Sequence, residues 1–299
     1  MSTQSSNDRS TSSITAHEDD AIRRANESER SAVVFIHGLW LLPSSWERWA
    51  AVFEEAGYSC LMPGWPDDPQ TVEEANADPE VFANKTVGQA AAHFEAILRR
   101  LKRKPAVIGH SFGGMLAQVL CGQELAAATV AIDPAPFRGV LPLPLSALRS
   151  AWPVLQNPAN RHRAVPLTYE QFRYAFANAV GETEARQLYD TFAVPASGAP
   201  IFQSAMANFN PWTEARADTQ AAKRGPLLVI SGERDHTVPH AIAHAEFQRQ
   251  ARNPGVTEFV EMPGRGHALT IDSGWREVAA TALSFIQRFV PAHAVVEHA

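Results

Sequence analysis

A glycine-rich turn at residues 109–113 constrains the fold of this chain more than any other feature. Its sequence is Gly-His-Ser-Phe-Gly, and it lies between the apolar residues 105–108 and a helical pattern over residues 115–120. A serine at a strand-to-helix turn, with a glycine two places before and after it, is typical of a sharp and strained bend, because a side chain at either glycine would strike the neighbouring strand or helix. The hydroxyl of Ser111 then points outward, and we predict that Ser111 is a nucleophile.

The helix predicted to begin at Phe112 adds to this interpretation. The first turn of a helix has unpaired backbone N–H groups and the positive end of the helix dipole, which stabilise an oxygen that becomes negative during acyl transfer. An ordinary turn does not require this arrangement.

Length and composition favour one large α/β domain that does not bind nucleic acid. A chain of 299 residues can bury roughly three quarters of its unfolded surface in a single core. The net charge is −6, and the longest basic tract, residues 99–104, is typical of the exposed end of a helix. Residues 1–30 are polar and contain no apolar stretch long enough for a signal peptide or a stable membrane insertion, so we expect a disordered tail.

The two cysteines, Cys60 and Cys121, are too few for a disulfide framework and do not have metal-ligand spacing. They indicate buried thiols in a reducing compartment, and we expect a cytoplasmic protein. Nothing in the sequence indicates an oligomeric state.

Short β-rich runs alternate with helical patterns, which predicts a mostly parallel sheet with helices on both faces. The predicted strands are residues 32–36, 58–62, 106–108, 129–132, 227–230 and 257–261, and the predicted helices are residues 46–55, 87–101, 112–120, 241–250 and 274–289. These elements form a predicted core of residues 31–133 and 224–290, followed by a tail of residues 291–299.

The alternation stops between residues 134 and 223, which we predict to be a lid inserted between two strands. Its first part is rich in proline, which interrupts any long helix. In its second part Thr168 and Gln171 can form a capping box that opens a helix through residue 179, and a second helix is expected at residues 183–191. Most apolar side chains of the lid should pack against the core, and a few should line a pocket.

Two later loops contain the partners that a serine nucleophile needs. Asp235 follows the strand at residues 227–230, and His267 follows the strand at residues 257–261. Both lie just beyond the carboxyl end of a strand, which is the edge where open α/β sheets bind ligands. A neutral histidine can take the serine proton, and a carboxylate can orient that histidine.

The order Ser111, Asp235, His267, the turn at residues 109–113, and the sequence Val-Phe-Ile-His-Gly at residues 34–38 resemble the α/β-hydrolase fold family over residues 32–290. The resemblance implies a helical lid after the sixth family strand, and backbone N–H donors to an oxyanion at Leu39 and Phe112. Many members have two further strands before the His-Gly strand. Residues 1–30 have too few apolar residues to supply them, so we expect about six strands and not eight.

A second carboxylate leaves the acid open between two positions. Asp133 follows the strand at residues 129–132, where some members with a lid have their acid. We favour Asp235 because a Gly-x-x-Asp loop after a strand is the usual pattern, and because Asp133 can act as the turn residue before Pro134.

Five further residues are candidates for the pocket, each with a structural alternative. Trp40 adjoins the oxyanion loop, His110 precedes the nucleophile but in such a turn usually points into the core, and the remaining three are lid residues: Phe137, Leu143 and Trp152.

No cofactor and no metal are predicted. Gly113 and Gly114 belong to neither a dinucleotide fingerprint nor a P-loop. His240 and His244 have a spacing that can bind metal, but the residues between them offer no glutamate base, and an exposed helix face is the simpler interpretation.

These features predict a serine hydrolase that cleaves a small-molecule carboxylic ester, or a lactone or thioester, of medium-sized apolar acids through an acyl-enzyme. Alternatives on the same fold are a cofactor-free perhydrolase of the haloperoxidase type, a C–C bond hydrolase and a hydroxynitrile lyase. A binding protein that uses a hydrolase scaffold without catalysis is a further alternative.

Overall fold

A computed structural model describes residues 14–293. Six strands form one parallel sheet in the order β2-β1-β3-β4-β7-β8, and β5 and β6 form a separate antiparallel pair. The strands are β1 (Ala32–Ile36), β2 (Ser59–Leu61), β3 (Ala106–His110), β4 (Ala128–Ile132), β5 (Ala164–Val165), β6 (Ala196–Ser197), β7 (Leu227–Gly232) and β8 (Thr257–Met262).

Helices connect the strands, as parallel pairing requires. They are α1 (Ala16–Glu27), α2 (Glu47–Glu55), α3 (Val72–Ala77), α4 (Val87–Arg100), α5 (Phe112–Gly122), α6 (Leu145–Leu155), α7 (Tyr169–Ala175), α8 (Glu182–Phe192), α9 (Ala199–Ala205), α10 (His240–Gln250) and α11 (Trp275–Gln287). Short 3₁₀ turns lie at Pro43–Trp46, Pro79–Phe82 and Pro158–His162. Within residues 14–293 no helix is both long enough and apolar enough to cross a membrane.

The sheet separates two apolar layers, because successive side chains of a strand point to opposite faces. On β1, Val33 and Phe35 join the layer that contains α2 and α11, whereas Val34 and Ile36 join the layer that contains α4, α5 and α10. The prediction of a mostly parallel sheet with helices on both faces is therefore confirmed. Its six strands begin and end within two residues of the predicted bounds.

The prediction of disorder over residues 1–30 is wrong for Ala16–Glu27. This segment is α1, which begins with a capping box between Thr15 and Glu18. Glu18 lies 2.9 Å from Nε2 of the buried His93 on α4, and Ile22 is buried in the core. Most residues of α1 are polar, so the sequence alone gives little sign that one face packs. Residues 1–13 of the predicted tail lie outside the described residues.

Residues 134–223, called here the inserted segment, contain α6 to α9 and the β5–β6 pair. The capping box of Thr168 and Gln171 is present, although the helix that it opens ends at Ala175 and not at residue 179. The prolines do not prevent a helix of 11 residues, because α6 includes Pro153. The sequence did not predict α3, α9 or the small antiparallel pair.

A buried polar network joins α5 to α10. Gln118 Nε2 donates to Glu246 Oε2 at 2.5 Å, and Gln250 Nε2 donates to Gln118 Oε1 at 3.0 Å. Glu246 is fully buried, and burial raises the pKa of its carboxyl well above the usual range, against a smaller opposing effect of the Gln118 hydrogen bond. Burial therefore favours the protonated form of Glu246 in the folded protein.

We expect Glu246→Gln to make the stability less dependent on pH. A glutamate in the unfolded chain loses its proton at about pH 4.3. Burial keeps the proton on Glu246 of the folded protein to a higher pH. The wild-type protein should therefore lose stability as the pH rises above the unfolded pKa, and the variant should not lose this contribution. Urea unfolding at pH 5 and pH 8 measures the difference. The exposed Glu277→Gln on α11 is the control. A wild-type-to-variant difference that is equal at both pH values would contradict the proposed protonation.

Candidate active site

Ser111 lies between the end of β3 and the first turn of α5, in a conformation that side chains rarely adopt. Its φ is 55° and its ψ is −121°, and it is 5% exposed. Its backbone N–H donates to the Ile132 carbonyl at 2.9 Å, and its carbonyl accepts from Ala135 N–H at 2.9 Å. These two hydrogen bonds to the end of β4 hold the strained residue in place.

Two glycines of the turn are required by close backbone approach. A Cβ at Gly109 would lie 2.0 Å from the Gly113 carbonyl oxygen, and a Cβ at Gly113 would lie 2.0 Å from the Ile36 carbonyl oxygen. A Cβ at Gly38 would lie 2.8 Å from Cβ of Ser111. The His-Gly loop after β1 therefore lies directly against Ser111, at a distance that only glycine allows.

His267 and Asp235 form a buried pair at the same edge of the sheet. His267 Nδ1 lies 2.6 Å from Asp235 Oδ2, and both side chains are inaccessible to solvent. The other carboxylate oxygen of Asp235 accepts from the backbone N–H groups of Thr237 and Val238 at 2.6 and 2.9 Å. His267 Nε2 has no hydrogen-bond partner among the described residues, so it forms no hydrogen bond with Ser111 in this structure.

Asp133 forms no hydrogen bond or ion pair with His267. Its Oδ1 accepts from Gly232 N–H at 2.7 Å, and its Oδ2 has no partner of its own within the described residues. Burial raises the pKa of Asp133 well above its usual range, and the neighbouring Asp235 carboxylate raises it further. Burial and the neighbouring carboxylate therefore favour the neutral form of Asp133.

His110 packs its ring against His267, with ring centroids 4.6 Å apart. It is buried, and neither ring nitrogen has a hydrogen-bond partner within residues 14–293. Burial, followed by the charge of His267, holds the pKa of His110 well below its usual range. A neutral His110 is thus a packing surface for His267, in agreement with the expectation that the residue before the serine points into the core.

Two backbone N–H groups beside Ser111 have no acceptor among the described residues. Neither Leu39 N–H nor Phe112 N–H donates a hydrogen bond to any described residue. Both residues are 5% exposed, and buried backbone N–H groups without a partner are rare in proteins. These are the two donors that the sequence predicted.

A buried ionic cluster supports the loop that contains Leu39. His37 Nε2 lies 3.1 Å from Asp68 Oδ2, and Lys85 Nζ lies 2.8 Å from Asp68 Oδ1. Burial alone would raise the pKa of Asp68, but His37 and Lys85 outweigh it and lower that pKa. His37 also contacts the Gly38 carbonyl at 2.9 Å through Nδ1. Asp68 and Lys85 belong to no local motif, so the sequence does not predict this cluster.

Trp40 joins the oxyanion loop to the inserted segment. Its φ is 64°, its indole N–H donates to the Val165 carbonyl at 2.9 Å, and its own carbonyl accepts from Val194 N–H at 3.2 Å. Its ring meets Phe176 edge to face at 6.1 Å between centroids. Phe176 in turn lies edge-on to His267 at 4.9 Å. Phe176 is therefore a further residue in contact with the candidate site that the sequence did not single out.

The structure separates the other predicted pocket residues. Phe137 is fully buried in the core, whereas Leu143 and Trp152 are 65% and 60% exposed. Trp40 lines a small cavity of about 20 Å³ beside the oxyanion loop. The prediction that Leu143 and Trp152 line a pocket is therefore not met, because both side chains project from the surface of the inserted segment.

The side chains that could ligate a metal do not form a favourable site. Ring nitrogens of His110 and His267 and an oxygen of Asp133 lie within 4.8 Å of one another. However, His267 Nδ1 is engaged by Asp235, and Asp133 Oδ1 is engaged by Gly232 N–H. The rings of His240 and His244 on α10 are stacked and half-buried, and both meet Phe259 edge to face. His240 Nδ1 also lies 2.8 Å from a carboxylate oxygen of Glu261.

The model of the alpha/beta hydrolase family matches residues 33–281 of this chain. Because that match covers most of the sequence, the chain belongs to the α/β-hydrolase family and is an enzyme of the hydrolase type. No curated protein matches the sequence significantly.

Solved structures of other hydrolases share the fold at low sequence identity. An esterase from Thermogutta terrifontis is 15% identical, with a TM-score of 0.64 over 87% of this chain and 90% of the esterase. A monoacylglycerol lipase from Paleococcus ferrophilus is 17% identical, with a TM-score of 0.58 over 86% and 94% of the two chains. A pyrethroid hydrolase from Sphingobium faniae is 18% identical, with a TM-score of 0.58 over 85% and 96%.

We expect Gly113→Ala to destabilise the protein by about 3 kcal/mol, because the new methyl group would meet the backbone oxygen of Ile36, which cannot move without distorting β1. Gly181→Ala is the matched control, since a Cβ at Gly181 meets no atom within 4 Å. Urea unfolding of both variants measures the effect. Equal stability of the two variants would show that the turn is less tightly packed than the distances indicate.

Proposed function

We propose that this protein is a serine hydrolase that cleaves a carboxylic ester, or a lactone or thioester, of a medium-sized apolar substrate through an acyl-enzyme. The observation that supports this most directly is the convergence of a strained Ser111, two free backbone N–H groups and the His267–Asp235 pair at one sheet edge. In this proposal Ser111 is the nucleophile, His267 the base and Asp235 the orienting acid.

The reaction begins when His267 Nε2 takes the proton of the Ser111 hydroxyl and the oxygen attacks the substrate carbonyl. The carbonyl oxygen becomes negative, and the N–H groups of Leu39 and Phe112 stabilise it. His267 then gives its proton to the leaving alcohol, and the acyl group remains on Ser111. A water molecule repeats the sequence, with His267 as base, and releases the acid.

The contacts of His267 support its role as a base. His267 Nδ1 donates a hydrogen bond to Asp235 Oδ2. The neutral imidazole therefore has its proton on Nδ1 and a free lone pair on Nε2. The negative charge on Asp235 also stabilises the imidazolium that forms during attack. Burial raises the pKa of the neighbouring Asp133, which favours a neutral carboxyl beside Asp235.

The surroundings of the oxyanion loop support an apolar substrate. A small cavity beside this loop has a volume of about 20 Å³, and Ser111 and His267 do not line it. Most of its wall is apolar, and Pro195 and Ala196 of the inserted segment close one side. The inserted segment would then act as the lid. Free Cys60 and Cys121 support the further proposal that the protein is cytoplasmic.

We expect the wild-type protein to hydrolyse p-nitrophenyl esters, with the highest rate at an intermediate acyl length. Ser111→Ala should lower turnover by on the order of a thousandfold or more and abolish covalent labelling by a fluorophosphonate, because it removes the attacking oxygen. Ser231→Ala is the control, since that serine is buried at the end of β7 and has no catalytic assignment.

No hydrolysis at any acyl length would contradict ester cleavage. If a fluorophosphonate still labels Ser111 in that case, analysis of products from peroxide, C–C and cyanohydrin substrates would identify one of the other reactions of the fold. Failure of the reagent to label wild-type Ser111 would instead favour a binding protein without catalysis.

The loss of kcat/KM should differ strongly between Asp235→Asn and Asp133→Asn. Asp235→Asn should lower kcat/KM by on the order of a thousandfold or more, because an amide cannot hold the required histidine tautomer or stabilise its positive charge. Asp133→Asn should lower it no more than about tenfold, because a neutral amide replaces a neutral carboxyl and still accepts from Gly232 N–H. A near-normal rate for Asp235→Asn, with a large loss for Asp133→Asn, would assign the acid to Asp133.

A further inference from the structure

Large exposed hydrophobic side chains are concentrated on the inserted segment. Among the described residues, all but one of the strongly exposed large hydrophobic side chains lie between residues 141 and 212, and the exception is Val256. The seven residues, called here the apolar face, are Leu141, Leu143, Leu145, Trp152, Met206, Phe209 and Trp212. Trp212 is 86% exposed and Leu145 is 84% exposed. Isolated exposed hydrophobic residues are ordinary, but a cluster on one part of a surface indicates a binding site.

Hydrogen bonds join the two stretches of chain that carry these side chains. Asn208 accepts from Gly139 N–H at 2.6 Å and donates to the Val140 carbonyl at 2.7 Å. Arg138 donates to the Pro211 carbonyl at 3.1 Å. The loop that leads to Leu141 is thus fixed against the loop that contains Phe209 and Trp212. Leu145 and Trp152 lie seven residues apart on α6 and share one side of that helix.

The two stretches of chain that carry the apolar face have together a positive charge, opposite in sign to the net charge of the whole chain. Residues 134–169 contain Arg138, Arg149, Arg161 and Arg163 but no aspartate or glutamate, and residues 197–213 contain no charged residue, whereas the full chain has a net charge of −6. None of these four arginines forms an ion pair with an acidic side chain in residues 14–293. The nearest acidic residue after the second stretch, Glu214, accepts from Gly88 N–H and Gln203.

The combination limits what can cover this face. A second copy of the chain, docked by the same face, would bring unpaired arginines of the two copies together, which is unfavourable. An anionic bilayer accepts both features, because tryptophan and leucine side chains insert at the level of the headgroups and arginines bind the lipid phosphates.

We propose that the apolar face of the inserted segment docks the protein on the surface of a bilayer that contains anionic phospholipid. Trp152, Phe209 and Trp212 enter the headgroup region, and Arg149, Arg161 and Arg163 contact phosphates. The protein lies on the membrane and does not span it, since no helix in the described residues is suited to span it. This proposal does not depend on the reaction proposed above.

Flotation of the full chain with two kinds of vesicle tests the proposal. One kind contains phosphatidylcholine alone, and the other contains phosphatidylcholine with about 30% phosphatidylglycerol. We expect the protein to float with the anionic vesicles, to remain largely free with the neutral ones, and to dissociate when the salt concentration rises. Trp212→Ser and Phe209→Ser, made as separate variants, should each weaken vesicle binding by about tenfold or more. Each substitution removes a large apolar side chain that becomes buried in the bilayer. Arg161→Gln and Arg163→Gln should each weaken it about fivefold.

Val256→Ser and Arg252→Gln are the matched controls, since both residues are exposed outside the inserted segment, and both should bind as the wild type does. Thermal unfolding establishes that each variant is folded, and the exposure of Trp212 makes a folding defect unexpected. Equal binding to both vesicle types, no binding to either, or no loss in the Trp212 and Phe209 variants would overturn the proposal. A dimer that these two substitutions dissociate, measured by sedimentation in the absence of lipid, would replace the bilayer with a second copy.

Discussion

The parallel register of β3, β4, β7 and β8 is the constraint on which the rest of the site depends. His110 pairs with Ile132, Ile132 pairs with Ile230, and Gly232 pairs with Met262, so the four strands end at the same edge. The chain leaves that edge immediately before Ser111, Asp133, Asp235 and the loop to His267. Hydrogen bonds between neighbouring strands therefore bring together residues that are far apart in the sequence. No direct contact between the loops is needed to bring them to the same place.

Electrostatics then adds to the distinction between two carboxyl groups, of which the sequence already favours Asp235 as the acid. Asp133 and Asp235 both follow buried strands, and both are buried. The difference lies in their hydrogen-bond partners. Asp235 accepts hydrogen bonds from two backbone N–H groups and from His267, whereas Asp133 accepts one hydrogen bond from a backbone N–H group. Two adjacent buried carboxyls do not both ionise readily, and burial together with the neighbouring carboxylate raises the pKa of Asp133. The same principle applies to Asp68, where Lys85 and His37 compensate for burial.

The sequence predicted those parts of the structure that local patterns encode. Apolar runs of four or five residues predicted the strands, and the glycines around Ser111 predicted the turn, because both depend on neighbouring residues. The helix Ala16–Glu27 was missed because its packing depends on Glu18 and His93, which lie 75 positions apart. Phe176 and Asp68 were missed for the same reason. Leu143 and Trp152 were assigned to a pocket because hydrophobic residues are usually buried, and the sequence does not reveal which of them face outward.

Trp40 connects two parts of the molecule that otherwise have separate tasks. It follows Leu39, whose N–H is a proposed oxyanion donor, and both its indole and its carbonyl are bound to the inserted segment. A displacement of Val165 or Val194 away from the sheet would pull on the peptide next to that donor and change its direction. If a reactant enters by displacement of this segment, its admission is mechanically linked to the direction of the donor, and the conformation that admits it differs from the one in which the donor is aligned.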